Sequence, residues 1–174
     1  MERLMVEPMQ IAVRRLTRDD AERFQALRLH CLQTAPEAFG SSYEEECGRN
    51  IAELRSMLEA QPNAVFGAFA GDQLVGLAGF AVSPKVKKRH VGLLWGVFVD
   101  PAWRGHDLGR RLTAAVIEHA RQHVDIIHAT VMATNLSARN IYLGLGFKVF
   151  GFEKDALRYD GKSYDDEHLR LDLR

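Results

Sequence analysis

The sequence predicts one α/β domain, α+β by stricter naming, in which a mixed sheet carries helices on both faces. The length of 174 residues suits a single domain with its own core. Strand and helix periodicities alternate in the order β-α-α-β-β-β-α-β-α-β-β, which is typical of layered α/β architectures. No repeat or linker divides the chain. We therefore expect one domain over residues 1–174, with residues 1–9 as a flexible leader.

The first half of the chain is predicted to run from a strand through two helices into a hairpin. Apolar residues alternate over 10–16, and Thr17 to Asp20 then offers cap residues for a helix that ends near Pro36. A second helix is predicted over 44–58. Gly71-Asp72-Gln73 separates two apolar runs, which predicts a β-hairpin over 65–82.

The second half begins with a long apolar strand over 91–99, which Asp100-Pro101 closes because proline cannot continue a ladder. Apolar residues then recur every four positions from Leu108 to Ala120, which predicts a helix that ends before Val124. The remaining predicted elements are a strand over 126–133, a helix over 138–145 stopped by Gly146, and closing strands over 147–152 and 169–173.

Composition excludes several classes of protein. The formal net charge is zero, so there is no general electrostatic case for nucleic-acid or membrane-surface binding. Cys31 and Cys47 are too few for a disulfide framework or a thiolate metal site, and free thiols fit a reducing cytoplasm. The first ten residues lack the apolar core of a signal peptide, and no stretch has membrane-spanning length. We expect a cytoplasmic protein without a metal.

Residues 97–110 are predicted to form a strand, loop and helix that cradle a diphosphate. The loop lies where free backbone N–H groups and the positive end of a helix converge. Glycines in it let a ligand approach the backbone closely, and arginines place positive charge beside it. The alternative is an ordinary glycine-containing turn with solvated arginines. The residues concerned are Gly105, Gly109, Arg104, Arg110 and Arg111.

Two motifs in this order resemble the GNAT superfamily of acyl-CoA-dependent N-acetyltransferases. The family signature Arg/Gln-x-x-Gly-x-Gly/Ala is matched at three of four positions by residues 104–109. A second family stretch, Asn-x-x-Ala-x-x-x-Tyr-x-x-x-Gly-Phe, is matched from Asn135 to Phe147. The resemblance covers residues 10–173 and implies a GNAT-like, mostly antiparallel mixed sheet. The segments PEAFGSSYEEE and DGKSYDDEHLRLDL look like a bacterial subgroup of unassigned substrate.

The resemblance implies an N-acetyltransferase that moves an acetyl group from acetyl-CoA, as co-substrate, to a primary amine by direct attack in a ternary complex. The acceptor would be a small-molecule or peptide amine, and the resemblance is compatible with a homodimer. One alternative is a catalytically silent acyl-CoA-binding module that regulates a partner. A nucleotide-binding protein without acyl chemistry is a third interpretation.

The resemblance also implies the roles of individual residues. Tyr142 would donate a proton to the departing thiolate, since a phenol can do so, whereas the alternative is a tyrosine packed on an apolar helix face. Backbone groups at the end of the central strand would hold the pantetheine and polarise the thioester. Asn135 and Asn140 would bind the pantetheine amides, although Asn135 also suits a helix cap. The full set of implied cofactor contacts is Val97, Phe98, Val99, Arg104, Gly105, His106, Asp107, Leu108, Gly109, Arg110, Asn135 and Asn140.

Asp107 departs from the family pattern, which usually has a glycine there. An aspartate before Leu108 suits a helix N-cap that accepts from the N–H of Gly109 or Arg110. Those N–H groups would also serve a phosphate. We therefore hypothesise that the Asp107 carboxylate occupies part of the anion site in the empty protein and swings outward when coenzyme A binds.

The general base is not evident in the sequence. Many relatives use a glutamate on the central strand, but this strand reads Gly92-Leu93-Leu94-Trp95. The candidates are Glu44, Glu45 and Glu46, for which an acidic first turn of a helix is the competing explanation. A relayed water, or an acceptor amine of low pKa, would also satisfy the chemistry.

Overall fold

In the computed structural model, residues 10–174 are described, and the expected leader at 1–9 lies outside them. Seven strands form one sheet in the order β1-β2-β3-β4-β5-β7-β6. The β4–β5 pair is parallel, and the neighbours on either side of it pair antiparallel. The predicted mixed, mostly antiparallel sheet is therefore confirmed. The strands are β1 Ile11–Arg15, β2 Ala64–Ala70, β3 Gln73–Val82, β4 Val91–Val99, β5 Ile126–Met132, β6 Lys148–Tyr159 and β7 Lys162–Asp172.

Helices cover both faces of the sheet, as predicted. The helices are α1 Ala21–Thr34, α2 Tyr43–Glu46, α3 Ile51–Glu59, α4 Leu108–Ala120 and α5 Leu136–Gly144. On one face, buried residues of α4 such as Leu112 and Val116 pack with Phe80 and Ile127 of the sheet. On the other face, α1 and α3 bury Phe24 and Leu54 and their neighbours against β2 and β3. No helix within residues 10–174 is long and apolar enough to cross a membrane.

The single helix predicted over 44–58 is wrong, because the segment forms two helices. Ser42 begins α2 with a capping box in which its hydroxyl accepts from the Glu45 N–H at 3.3 Å and the Glu45 carboxylate accepts from the Ser42 N–H at 2.7 Å. Asn50 begins α3 by accepting from the Ala52 N–H at 2.7 Å. Two strong cap residues therefore start two helices within one amphipathic run, with Gly48 in the break between them.

The closing strands are also longer than the predicted 147–152 and 169–173. β6 and β7 form an extended hairpin whose turn, Asp160-Gly161, has positive φ at both residues, 48° and 70°. Aspartate and glycine are the residue types that tolerate such a turn. No helix covers the outer part of this hairpin, and its side chains there are largely charged. The alternation of apolar and polar residues that marks a half-buried strand is therefore weak in this region.

Candidate functional site

A cleft opens in the sheet where β4 and β5 separate. The two strands pair only from Val91 to Leu93 with Ile126 to His128, whereas β4 stays paired with β3 up to Val99 and β5 with β7 up to Met132. The β3–β4 register shifts between Leu77 and Gly79, opposite Gly96, whose φ of +63° only glycine adopts easily. Beyond this bulge, backbone groups on the β5 side of β4 have no strand partner and face the opening.

This β4–β5 cleft has a volume of about 340 Å³ and contains most of the predicted cofactor contacts. The structure brings together Val97, Phe98 and Val99 of β4, the loop and first turn of α4, and Asn135 at the start of α5. Two predicted contacts do not line the cleft: His106 is exposed with its Nδ1 3.1 Å from the Trp103 carbonyl, and Asn140 is on the exposed side of α5. The lining residues that are in the predicted set are Val97, Phe98, Val99, Arg104, Gly105, Asp107, Leu108, Gly109, Arg110 and Asn135.

The end of the cleft at α4 is built to receive an anion. Every backbone N–H from 105 to 110 lacks an acceptor in the described part of the chain, and the first bond of the helix is from Arg111 N–H to the Asp107 carbonyl at 3.0 Å. Gly105 has φ +87° and Asp107 has φ +58°, so successive N–H groups turn toward one concavity. Arg104 and Arg110 line it, whereas Arg111 turns away and donates to the Ile11 carbonyl at 2.7 Å. The positive helix end reinforces this preference for negative charge.

The predicted N-cap role of Asp107 is wrong. Its side chain accepts no cap hydrogen bond, because the residue is in the left-handed conformation rather than the extended one that aims an N-cap side chain at the helix. The N–H groups of Gly109 and Arg110 are therefore not occupied by this carboxylate. The left-handed backbone also explains why a glycine suits this position, since aspartate is among the few other residues that tolerate it.

Tyr142 lies where the cleft narrows. It lines a small pocket of about 80 Å³, the Tyr142 pocket, together with Gly96, Val97, Asn135 and Met132. The residue is only 5% exposed, and burial raises the pKa of its phenol to about 12. No hydrogen bond to its hydroxyl is found among residues 10–174. A buried phenol that stays protonated and has an unused donor can give a proton to a group in this pocket.

Asn135 has a structural role as well as a place in the cleft. Its Oδ1 caps α5 by accepting from the Ala138 N–H at 3.2 Å. This bond uses Oδ1 and leaves the Asn135 amide NH₂ without a partner in the described chain, on a residue that lines the cleft.

A third pocket adjoins the Tyr142 pocket on the opposite side of the sheet from α4. This β7 pocket has a volume of about 430 Å³ and lies between the open faces of β4, β5 and β7 and the segment that joins α1 to α2. It shares Trp95, Gly96, Thr130 and Met132 with the Tyr142 pocket, which in turn shares Val97 and Asn135 with the β4–β5 cleft, and Ala38 and Phe39 line all three spaces. The Tyr142 pocket is therefore a junction that connects the two larger spaces.

The three glutamates proposed as bases lie in different places. The Glu46 carboxylate forms a buried two-point ion pair with Arg28, at 2.9 Å to both Nε and Nη2. Burial opposes its ionisation, but these bonds outweigh burial and lower the pKa of Glu46. Glu45 is committed to the Ser42 cap, and Glu44 lines a separate pocket of about 300 Å³ beside Tyr159. None of the three lines the junction or the β7 pocket.

Sequence reasoning missed two carboxylates that do line the β7 pocket. Glu37 comes from the short 3-10 turn after α1, and Asp166 comes from β7. Asp166 pairs across the sheet with Met132, so the two side chains share a face at the edge of the junction. No local pattern marks either residue, because each reaches the pocket through contacts distant in sequence. A strand that extends back to Asp166 and pairs with β5 through Met132 is the feature that identifies it.

The chain matches the model of the acetyltransferase (GNAT) family over residues 23–147. Among curated proteins, N-alpha-acetyltransferase RimI of Mycobacterium tuberculosis is 31% identical over 108 residues, which are 60% of this chain and 64% of that protein. A mycothiol acetyltransferase of Nocardiopsis dassonvillei is 39% identical over 61 residues, 34% of this chain and 18% of that protein. The chain thus spans less than two thirds of either relative.

Solved structures agree in fold. A putative acetyltransferase from Salmonella typhimurium, solved with its cofactor acetyl-CoA, superposes with a TM-score of 0.82 at 20% identity, covering 94% of both chains. A GNAT-family acetyltransferase from Streptococcus pneumoniae gives 0.80 at 19% identity, over 93% of this chain and 99% of the other. A ribosomal-protein-alanine N-acetyltransferase from Brucella melitensis gives 0.79 at 23% identity, over 92% and 99%.

Proposed function

Because the chain belongs to the GNAT family of acetyltransferases, we propose that it uses acetyl-CoA to acetylate a primary amine by direct attack within a ternary complex. The observation that carries the proposal is the junction at Tyr142. There, one space that ends in an anion site meets a second space lined by β7. A donor in the first space and an acceptor in the second would meet without a covalent enzyme intermediate.

The β4–β5 cleft would hold the donor. The free N–H groups of 105–110, with Arg104 and Arg110, bind the diphosphate of coenzyme A. The backbone of Val97 to Val99, which has no strand partner on its β5 side, bonds the pantetheine in the manner of an added strand, and the Asn135 amide is placed to contribute. The Salmonella relative supports this donor, since its structure contains acetyl-CoA.

The reaction would proceed at the junction. A neutral amine attacks the thioester carbonyl carbon, backbone N–H groups near Val97 stabilise the oxyanion, and the carbon–sulfur bond breaks. Tyr142 donates its phenolic proton to the departing thiolate, and its high pKa ensures that the proton is present at neutral pH. The amine loses one proton to a base, so the products are the amide and coenzyme A.

Release of coenzyme A, followed across a panel of small primary amines and short peptides, tests the proposal. Peptides belong in the panel because the Brucella neighbour is named a ribosomal-protein-alanine N-acetyltransferase. We expect wild type to release coenzyme A with at least one amine. Tyr142→Phe should lower kcat by on the order of 10²-fold while acetyl-CoA still binds, because the variant loses only an unpartnered hydroxyl.

Two outcomes would contradict this proposal. If wild type binds acetyl-CoA but releases no coenzyme A with any amine, a silent acyl-CoA-binding module is the better description. If Tyr142→Phe transfers acetyl groups at the rate of wild type, the proton must come from elsewhere.

A further inference from the structure

The β7 pocket holds an unpaired carboxylate at the place where the proposed acceptor must lose a proton. β4 contains no ionisable residue between Val91 and Val99, so the strand nearest the thioester supplies no base. Glu37 and Asp166 are the carboxylates that line the pocket. Each has a neighbour that lines both spaces, Ala38 along the chain for Glu37 and Met132 across the sheet for Asp166. Asp166 is the one held on a strand, where its side chain shares a face with that of Met132.

Asp166 is not committed to any structural contact. No hydrogen bond or ion pair within the described chain involves its carboxylate, whereas the adjacent Asp165 accepts from the Asp155 N–H at 2.8 Å. The carboxylate is half-buried, and this burial raises its pKa above the ordinary value. A half-buried, unpartnered carboxylate beside a cavity costs stability, so an occupant that satisfies it would be bound favourably.

The charged groups around Asp166 leave its carboxylate free to accept a proton. On its own strand His168 lies nearby, and Glu153 approaches from β6, but these two are bonded to each other at 2.8 Å. Glu153 and Asp165 add negative potential that raises the pKa of Asp166, while His168 opposes it. Across the pocket, Arg28 is neutralised by its buried ion pair and Glu37 adds further negative charge.

We propose that Asp166 binds the ammonium group of the acceptor and removes its proton before attack, in place of a carboxylate on the central strand. This inference rests on the acetyl transfer proposed above and narrows its acceptor to an alkyl amine that arrives protonated. The ammonium forms an ion pair with Asp166 in the β7 pocket. One N–H proton moves to the carboxylate, which later returns it to solvent, and the freed lone pair forms the new N–C bond. As the C–S bond breaks, Tyr142 protonates the thiolate, and the second proton that the nitrogen loses restores the Tyr142 phenol through solvent.

The pH profile of kcat/KM distinguishes this role from a structural one. An alkyl ammonium has a pKa near ~10.4, so the neutral fraction in solution rises about tenfold per pH unit below that value. Wild type, which deprotonates the bound ammonium, should show a kcat/KM that is nearly flat from pH 7 to 9. Asp166→Asn must use amine that is already neutral, so its kcat/KM should be about 10²-fold lower at pH 7 and rise about tenfold per pH unit.

The experiment compares four variants, Asp166→Asn, Asp166→Glu, Asp172→Asn and Glu37→Gln, on two acceptors. The first acceptor is the best alkyl amine from the panel, and the second is methoxyamine, a low-pKa amine that is neutral at pH 7 and needs no deprotonation before attack. Asp166→Asn should act on methoxyamine within about threefold of wild type. Asp166→Glu should recover part of the alkyl-amine activity. Asp172→Asn, on the same strand but outside the pocket, should match wild type throughout.

The outcomes separate the two proposals. Parallel pH profiles for wild type and Asp166→Asn, or an equal loss with methoxyamine, would overturn the role of Asp166 and leave acetyl transfer intact. The same pH-dependent loss in Glu37→Gln instead of Asp166→Asn would assign the base to Glu37. If wild type acetylates no amine at all, the proposed function fails and this inference falls with it. Equal acetyl-CoA affinity in all variants verifies that they are folded.

Discussion

Replacing Asp107 with asparagine should tighten acetyl-CoA binding by removing a negative charge from the mouth of the anion site. Asp107 lines the β4–β5 cleft within the run of free N–H groups, but accepts no bond from them. Asp107 therefore weakens acetyl-CoA binding by electrostatic repulsion of the diphosphate. At roughly 7 Å in water a unit charge repels a diphosphate of two charges by about 1 kcal/mol, and salt of 0.15 M screens much of this. Asp107→Asn should bind about threefold to fivefold more tightly at low salt.

Two further variants separate the charge from the backbone. Asp107→Gly also removes the charge and accepts φ +58° without strain, so it should match the asparagine variant in affinity. Asp107→Ala removes the charge but must place a Cβ in the left-handed region, which costs about 1–2 kcal/mol. Its free energy of unfolding should therefore lie about 1 kcal/mol below that of Asp107→Asn, because asparagine tolerates this conformation.

Isothermal titration with acetyl-CoA at 20 and 200 mM salt, together with urea denaturation, measures both effects. The gain in affinity should shrink at the higher salt, since the screening length falls. Equal or weaker binding by Asp107→Asn and Asp107→Gly at low salt would refute the electrostatic reasoning. An alanine variant as stable as the asparagine variant would refute the backbone reasoning.

Two predictions concern the charges that support the site. Glu46→Gln leaves the buried Arg28 guanidinium without its carboxylate and should lower the free energy of unfolding by about 3 kcal/mol. The control Glu44→Gln should change the free energy of unfolding by less than about 0.5 kcal/mol. Similar free energies for the two variants in urea denaturation would contradict this prediction. A hydrogen bond from Arg14 lowers the pKa of Asp20 to about 2, below the roughly 3.9 of an unfolded chain. The ionised Asp20 carboxylate therefore adds roughly 1–2 kcal/mol to the free energy of unfolding. This stabilisation is complete above about pH 4 and is lost as the pH falls through about 2. The difference in free energy of unfolding between wild type and Asp20→Asn should therefore close over that pH window.

The cradle at 97–110 could be predicted from the sequence because it is one continuous segment. A buried strand, a proline stop, two glycines and an amphipathic helix lie in order, and each is a local signal. The sequence places Asp107 correctly at the helix boundary but does not predict its left-handed backbone conformation. An aspartate before a helix usually caps it, and only the left-handed φ shows that here it replaces a glycine.

The full length of the β6–β7 hairpin could not be predicted in the same way. Residues 153–168 alternate poorly because their outward faces are solvated and charged, and hydrophobic periodicity needs one buried face. The Asp160-Gly161 turn was the available signal, since these residue types favour the positive φ angles found there. Without that pairing, Asp166 has no predicted neighbours, and the candidate bases visible in the sequence are the glutamates at 44–46.

The two sides of the proposed site therefore differ in how the chain encodes them. The donor side depends on a strand end and a helix start joined by one loop, so its chemistry is constrained locally. The β7 pocket is assembled from α1, the segment after it, β4, β5 and the β6–β7 hairpin, whose side chains meet only in the folded protein. Substitutions in the exposed part of the hairpin can change the lining of this pocket without disturbing the N–H groups at 105–110. Substitutions that change acceptor specificity can thus accumulate in the hairpin while the donor site stays the same. For this reason the sequence reveals the cofactor motif but does not identify the acceptor amine.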